Sequence, residues 1–139
     1  MSEMRAEIRH VAGLTFAGKA DSNHWVVMDG PTAFGGFEGG TKPMELLLIA
    51  LGGCTGMDVV SLLQKMKVKF EDFRIEISAE RKEEHPKVFT KVHIKYIVRS
   101  SEPKEKIEKA VELSQKKYCS VSAILRQTAE ITYECDVRP

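Results

Sequence analysis

The sequence predicts an α+β fold in which a mostly antiparallel sheet packs on one long central helix. Residues 42–66 form the longest apolar run and are typical of a helix, while stretches that alternate apolar and polar residues lie before and after it. The predicted order is three strands, the long helix, two strands, two helices and a strand, which favours α+β over a parallel α/β sheet. The chain has 139 residues, so we expect a single domain spanning residues 1–139.

The segment before the long helix predicts three short strands and a loop. Loosely alternating residues 5–11 and 14–20 predict a hairpin, and residues 24–28 predict a third strand after a polar turn. Residues 29–41 form a glycine-rich loop that lacks the lysine and spacing of a phosphate-binding loop, so no nucleotide site is predicted. Its two phenylalanines would either cover a functional site as a lid or anchor the loop to the surface.

The central helix is predicted to begin at Pro43 and to carry a cysteine in its middle. Proline suits a first helical turn, and Glu45 places a carboxylate at the positive end of the helix dipole. Residues 46–51 are apolar on every side of the helix, which predicts that all sides are covered. A membrane span is disfavoured because polar or small residues interrupt the run: Gly52, Gly53, Gly56 and Asp58. The glycines indicate close packing, either against other elements of the core or around a substrate beside Cys54.

The second half of the chain predicts two strands, two helices and a final strand. The two strands are predicted over 70–80 and 87–99, and the final strand over 128–137. The first helix is predicted over 101–117, and a second, short helix opens at Cys119. In the strand predicted over 87–99, one face carries the apolar residues Val88, Val92, Ile94, Tyr96 and Val98. In the last strand, Ile131, Tyr133, Cys135 and Val137 share the predicted inner face.

Composition narrows the classes of function. The net charge of +1 gives no electrostatic case for a nucleic-acid partner or for an anionic membrane surface. The first ten residues are charged and lack the apolar core of a signal peptide, so we expect a cytoplasmic protein with reduced cysteines. A helix that is apolar on all sides is hard to cover within one small subunit, which favours a symmetric homodimer.

Three cysteines are the strongest candidates for chemistry. Cys54 and Cys119 lie in helical settings, and the helix start beside Cys119 is expected to lower the pKa of its thiol. Cys135 lies among apolar residues of a strand and is interpreted as core packing. If Cys54 and Cys119 meet in space, they could form first a sulfenic acid and then a disulfide, although buried cysteines are often inert. No Cys-x-x-Cys motif occurs, which disfavours a protein-disulfide oxidoreductase.

The spacing of Pro43 and Cys54, together with Cys119, Val121 and Ser122, resembles the OsmC/Ohr family of osmotically induced and organic-hydroperoxide-resistance proteins. In that family a cysteine lies eleven residues after a motif proline, and a second cysteine is followed by proline, an apolar residue and serine. The resemblance implies an intertwined homodimer that reduces organic hydroperoxides in a stress response. It also implies that Cys54 attacks the peroxide, that Cys119 resolves it, and that a lipoyl or other external dithiol restores both, with no bound cofactor.

Two positions depart from the family pattern. The family's peroxidases have a glutamate after the proline, whereas here Met44 follows Pro43 and the acid is Glu45. On a straight helix this moves the acid from about 80° to about 180° away from Cys54. The family's arginine from the N-terminal strands is replaced by Lys19, which provides a point charge rather than a two-donor fork. Glu45 and Lys19 are therefore the possible supporting residues.

Other charged residues are interpreted as less central. Arg5, Arg9 and Arg126 are other candidates for a cation beside the thiolate, although solvated surface positions are the expectation for each. Asp58, one turn after Cys54, is expected to disfavour a thiolate there. The four histidines form no pair at ligand spacing, so no metal site is predicted. The alternative to a peroxidase is a non-catalytic protein of the same fold that binds a small apolar ligand in a pocket at the dimer interface.

Overall fold

The computed structural model describes residues 2–139, and its elements follow the predicted order. They are β1 (Ala6–Ala12), β2 (Thr15–Ala20), β3 (Val26–Met28), a 3-10 turn (Thr32–Phe34), α1 (Pro43–Lys65), β4 (Asp72–Arg81), β5 (Phe89–Arg99), α2 (Lys104–Leu113), a π-helical turn (Ser114–Tyr118), α3 (Ser120–Leu125) and β6 (Glu130–Arg138). The α+β prediction is confirmed. The chain divides into two compact units, one up to Leu47 and one from Leu48 onward.

The N-terminal unit contains a three-stranded antiparallel sheet in the order β1-β2-β3. Ile8 pairs with Gly18 across the first hairpin, and Phe16 pairs with Met28 across the second strand pair. The predicted hairpin and third strand are therefore confirmed, with ends shifted by one or two residues. Phe34 and Phe37 in the following loop are both exposed.

One buried carboxylate, Asp29, organises the glycine-rich loop. It accepts a hydrogen bond from the Thr15 hydroxyl at 2.6 Å and from the backbone N–H of Gly30, Phe37 and Gly39 at 2.7, 3.3 and 3.1 Å. The bond from Thr15 is the main cause that lowers the pKa of Asp29, and the backbone bonds act in the same direction against burial. The loop also needs Gly36, since a Cβ there would lie 2.0 Å from the Gly30 carbonyl oxygen. Neither constraint is visible in the sequence pattern.

The C-terminal unit contains a second three-stranded sheet in the order β4-β5-β6. β4 and β5 pair antiparallel, whereas β5 and β6 pair parallel, because the two helices between them carry the chain back to the same edge. The inner face of β5 is fully buried, as predicted, and packs in a core with Ile107, Ala110 and Val111 of α2. Three of the four strand pairings are antiparallel, but the strands form two sheets rather than the single one expected.

Two predictions about faces and ends need correction. Tyr133 of β6 was predicted to face inward, but it is 36% exposed. The helix predicted over 101–117 ends as an α-helix at Leu113 and continues as the π-helical turn. Such a turn inserts one residue into the helical hydrogen-bond pattern, so it leaves no signature in apolar periodicity.

Helix α1 buries a single stripe within the chain. Leu51, Thr55, Val59 and Leu63 are buried at intervals of four residues, whereas Ile49 and Met57 are 58% and 75% exposed. Gly52 and Gly56 lie against Ile77 and Ile75 of β4, where an added Cβ would sit 3.3 Å from each side chain. Close core packing therefore explains these two glycines, and Gly53 faces open space. Coverage of the other sides would have to come from outside the chain.

By length and composition alone, α1 is apolar enough to cross a membrane. Its buried stripe argues for a core helix instead, because Thr55 in the middle of that stripe forms hydrogen bonds with side chains of β5 and the π-helical turn. Asp58 lies one turn further along the same helix. A lipid-facing helix would leave such groups without partners.

We predict that Asp29→Asn loosens the glycine-rich loop, because an amide NH₂ would meet backbone donors where the carboxylate oxygens now accept. The folded carboxyl has a lowered pKa, so its contribution to stability is present above the unfolded value of about 3.9 and is lost as the pH falls through the folded value. Limited proteolysis of the loop measures how tightly it is held, and a pH range of roughly 3 to 7 brackets the carboxyl titration. Wild type should become more sensitive at acid pH, and the variant should be sensitive throughout. Equal resistance of both proteins at neutral pH would contradict the assignment.

Candidate active site

Three potentially reactive groups meet beside α1. The Cys54 sulfur, an Asp58 carboxylate oxygen and the Cys119 sulfur all lie within 4.8 Å of one another. Cys54 and Asp58 are half-buried, and Cys119 is 4% exposed. The i, i+4 spacing puts Cys54 and Asp58 on one face of the helix, and the chain brings Cys119 to that face from the start of α3. The two sulfurs thus come together, and Cys135 is outside this cluster.

The π-helical turn determines where Cys119 lies. The Cys119 N–H donates to the Ser114 carbonyl at 2.8 Å, which closes the wide turn. Cys119 then adopts an extended conformation and caps α3, where its sulfur accepts from the Ser122 N–H at 3.4 Å. An uninterrupted α-helix would have shifted Cys119 by one residue, or about 100°, around the helix axis.

A buried chain of hydroxyl groups runs from the sheet to Asp58. Ser114 Oγ donates to Asp58 Oδ2 at 3.0 Å, which leaves Ser114 as acceptor for the Thr55 hydroxyl at 2.7 Å. Thr55 in turn accepts from the Tyr96 hydroxyl at 2.6 Å. Burial raises the pKa of Tyr96 to about 12, so this hydroxyl keeps its proton. All the hydroxyl donors in this series of hydrogen bonds therefore point toward the Asp58 carboxylate.

Gln115 links this series of hydroxyl groups to α3. Its amide NH₂ donates to Thr55 Oγ1 at 3.1 Å and to Tyr96 Oη at 3.0 Å. Its amide oxygen accepts from Ser122 Oγ at 3.1 Å and from Arg126 Nη2 at 2.9 Å. Arg126 lies at the surface as expected, yet its guanidinium also donates from Nη1 to the backbone carbonyl oxygen of Gln115 at 2.8 Å. The residues that hold the two cysteines in place are thus themselves fixed by hydrogen bonds.

The electrostatics of the two thiols differ. Burial raises the pKa of Cys119, and this effect outweighs the two hydrogen bonds from Ser122 that lower it. The expectation that the helix start would give Cys119 a lowered pKa is therefore wrong in its net direction. Burial likewise raises the pKa of Cys135 to about 11. Among residues 2–139 no lysine or arginine forms an ion pair with Asp58.

Several concave surfaces border α1, and two of them bear on the cluster or on its glycine-rich neighbours. A cavity of about 240 Å³ reaches Asp58, and its lining residues are Met57, Asp58, Ser61, Leu62, Lys65 and Tyr118. A second, more apolar cavity of about 530 Å³ lies between Gly52, Gly53, Gly56 and Met57 of the helix and Phe73 and Ile75 of β4. The first reaches the cluster at Asp58, and neither cysteine is among its lining residues. The second is large enough for a small apolar molecule.

The family is decided by a match over most of the chain. Residues 36–134 match the family model described as OsmC-like protein. The chain belongs to the OsmC-like family. The OsmC-like chain is 38% identical over 135 residues to Protein YhfA of Escherichia coli (strain K12), which covers 96% of this chain and 98% of that protein.

Solved structures agree with this assignment. A hypothetical protein from Aquifex aeolicus VF5 is 31% identical to this OsmC-like chain, with a TM-score of 0.83 and full coverage of both chains. An organic hydroperoxide resistance protein OsmC from Legionella pneumophila has a TM-score of 0.73 at 15% identity, with 98% of each chain covered. At that identity the second likeness shows the fold alone.

The two supporting residues suggested by the sequence have local partners in this OsmC-like protein. Glu45 Oε1 accepts from the Lys42 backbone N–H at 2.9 Å, which is the second half of a capping box at the start of α1. Lys19 Nζ donates to Asn23 at 3.1 Å and lies 4.9 Å from the Trp25 ring centroid. Arg5 and Arg9 form exposed ion pairs with glutamates two residues away, as expected for surface positions. A supporting role for Glu45 or Lys19 stays a prediction.

Sequence reasoning missed the residues that hold the cysteines of this OsmC-like protein. Thr55, Tyr96, Ser114 and Gln115 are all nearly or fully buried, and polar side chains at such positions need partners. Thr55 and Ser114 do carry a signal, since Thr55 continues the series of Leu51, Val59 and Leu63 at four-residue spacing, and Ser114 follows the buried positions of α2 at helical spacing. No sequence feature indicates that they bond to each other.

We predict that Thr55→Val destabilises the OsmC-like protein by about 1–3 kcal/mol, because it leaves the buried Tyr96 and Ser114 hydroxyls with one partner fewer. Thr90→Val is the matched control, since the Thr90 hydroxyl bonds at an exposed position and its loss should change stability by less than about 0.5 kcal/mol. Urea denaturation of both variants measures the difference. Equal stability of the two variants would refute the structural role of Thr55.

Proposed function

We propose that this chain is a cysteine-dependent peroxidase that reduces organic hydroperoxides. The observation that carries the proposal is the approach of the Cys54 and Cys119 sulfurs to within 4.8 Å of each other. Asp58, the third member of the cluster, lines a cavity of about 240 Å³. A disulfide has an S–S bond of about 2.05 Å, so the two sulfurs must approach further, and rotation of the cysteine side chains would bring them together. Membership of a family that includes hydroperoxide-resistance proteins is consistent with this chemistry.

The order of events that we propose follows from the difference in exposure between the two thiols. Cys54 is the more accessible of the two thiols, and its thiolate would attack the terminal oxygen of the hydroperoxide ROOH. The O–O bond breaks, Cys54 becomes a sulfenic acid, and the leaving alkoxide takes a proton to become an alcohol. Cys119 has a pKa raised by burial and so stays a thiol until its sulfur attacks the sulfenic sulfur, which forms the disulfide and releases water.

An external dithiol would then complete the cycle. One thiolate of the reductant attacks the Cys54–Cys119 disulfide, and its second thiol displaces the remaining protein thiol, so that the reductant leaves as a cyclic disulfide. We expect no bound cofactor for these steps, and a reducing cytoplasm would supply the dithiol.

The charge near the cluster sets the rate of the first step. An Asp58 carboxylate oxygen lies within 4.8 Å of the Cys54 sulfur, and no lysine or arginine of residues 2–139 forms an ion pair with Asp58. Lys65 lines the same cavity and supplies positive charge there. We therefore propose a slower attack than in a site where an arginine holds the thiolate in a two-donor fork.

A second candidate function is the binding of a small apolar ligand without turnover. The observation that favours it is the apolar cavity of about 530 Å³ beside Gly53, next to Cys54 in the chain. A pocket of this size and lining suits a small hydrophobic molecule.

We predict that cumene hydroperoxide removes two of the three free thiols per chain, because Cys54 and Cys119 become a disulfide while Cys135 does not react. Cys54→Ser should lose no thiol, and Cys119→Ser should stop at a sulfenic acid that dimedone traps. Cys135→Ser is the matched control and should react like wild type. Thiol titration and mass spectrometry measure all four proteins. Unchanged thiols in wild type, together with retention of an apolar ligand in native mass spectrometry, would favour the binding function over the enzyme.

We also propose that the chain forms a homodimer through α1. The supporting observation is the exposure of large apolar side chains along this helix, including Leu47, Ile49 and Met57 at 41%, 58% and 75%. Apolar surface of this kind on one helix is typical of an interface. A second copy would cover the sides that the chain itself leaves open.

Ile49→Lys should weaken such a dimer by about tenfold or more, because it places a charge among apolar side chains that are desolvated on association. Gln127→Lys adds the same charge at an exposed polar position and should leave the assembly unchanged. Sedimentation velocity over a range of concentrations gives the molecular mass of each. A monomeric wild type at high concentration would rule the proposal out.

A further inference from the structure

We propose that Cys54, Asp58 and Cys119 in their reduced state form a binding site for one Zn²⁺ ion. This site would exist whether or not the protein reduces hydroperoxides, since it depends only on the ligand set. Three side chains of two ligand types lie within 4.8 Å of one another, and they are the only such group among residues 2–139. Spacing in the sequence did not reveal the site, because Cys54 and Asp58 form an i, i+4 pair of two different ligand types. The third ligand, Cys119, lies far away in sequence at the start of α3.

The separations fit tetrahedral coordination. Zn–S bonds of about 2.3 Å and Zn–O bonds of about 2.1 Å place two sulfurs about 3.8 Å apart and a sulfur and an oxygen about 3.6 Å apart around one ion. Ligand atoms that already lie within 4.8 Å reach these separations by small side-chain rotations. The i, i+4 pair on α1 holds two of the ligands on one helix face, which is the arrangement that helical metal motifs use.

The donor types select the metal. Two thiolates and one carboxylate suit zinc and other borderline or soft ions, whereas Mg²⁺ and Ca²⁺ prefer sites made only of oxygen ligands. Three protein ligands leave a fourth position, and the cavity of about 240 Å³ on the Asp58 side has room for a water molecule there.

The surrounding hydrogen bonds orient the ligands as metal sites require. Ser114 holds Asp58 Oδ2 at 3.0 Å, so the other carboxylate oxygen is left for the ion. Thr55 fixes Ser114 in turn, and the Ser122 N–H directs a hydrogen bond to the Cys119 sulfur. Partners of this kind fix ligand orientation and raise metal affinity. The same three groups carry up to three negative charges when the thiols are ionised, which a divalent cation would neutralise.

The experiment uses the full-length, chelator-treated protein under reducing conditions with Co²⁺ as a spectroscopic probe. We expect one Co²⁺ per chain, with a thiolate-to-cobalt charge-transfer band in the near ultraviolet and the intense visible bands of tetrahedral cobalt. Zn²⁺ should displace the cobalt and remove both features. Bound Zn²⁺ should also slow the alkylation of Cys54 and Cys119 by iodoacetamide but leave that of Cys135 unchanged.

Variants separate the ligands from their neighbours. Cys54→Ser and Cys119→Ser should each lose most of the charge-transfer intensity, and Asp58→Asn should bind Co²⁺ at least about tenfold more weakly. Cys135→Ser and Asp72→Asn are the matched controls and should bind like wild type. A wild-type spectrum without the thiolate band would overturn the proposal, as would full-strength binding by Asp58→Asn or equal loss in Cys135→Ser. Peroxide consumption is assayed separately in metal-free protein, so failure of the zinc site and failure of the peroxidase are distinguishable.

Discussion

The buried hydrogen bond between Thr55 and Ser114 is the constraint on which the cysteine cluster depends. Thr55 directly follows Cys54 in α1, and Ser114 opens the π-helical turn that ends just before Cys119. Their 2.7 Å bond fixes the register of the two segments, and a shift by one residue in either helix would turn a sulfur by about 100°. The approach of two residues far apart in sequence is thus secured by polar groups beside them rather than by the cysteines themselves.

A polar network in an apolar core is costly unless every member has a partner. Here each does: among the described residues no buried side-chain nitrogen or oxygen lacks a hydrogen bond. The network reaches Asp58 at one end and the Arg126 guanidinium at the other, so its ends are charged groups close to solvent. Such a network adds specificity of position more than it adds stability, because each hydrogen bond contributes only about 1 kcal/mol net. Apolar packing of Leu51, Val59 and Leu63 supplies the main driving force around it.

The sequence predicted those features that follow from local pattern. The period of two in β5 located that strand and its buried face, whereas the apolar run located α1 but not the single stripe that is buried within the chain. The spacing of Pro43, Cys54 and Cys119 pointed to the family that the match over residues 36–134 then showed. Features that depend on a partner distant in sequence were not predictable. Asp29 reads as a turn residue, yet it collects four donors from one strand and one loop, and Asp58 reads only as an unfavourable neighbour of Cys54. The division of the strands between two sheets also depends on pairing, which periodicity does not encode.

Asp58 connects the peroxidase and the zinc proposal. Two thiolates and a carboxylate within 4.8 Å of one another would repel, and the Ser114 hydroxyl donates to that carboxylate at 3.0 Å. The repulsion is relieved in three ways: protons on the thiols, a divalent cation between them, or a disulfide that removes both sulfur charges. The first would apply to the reduced protein, the second to the zinc-bound form and the third to the disulfide form that we propose. A peroxidase built on an arginine favours the thiolate directly, whereas a site built on Asp58 favours whichever event removes sulfur charge. The disulfide and the metal site that we propose would therefore each avoid unscreened thiolate charge beside Asp58, as protonated thiols also do.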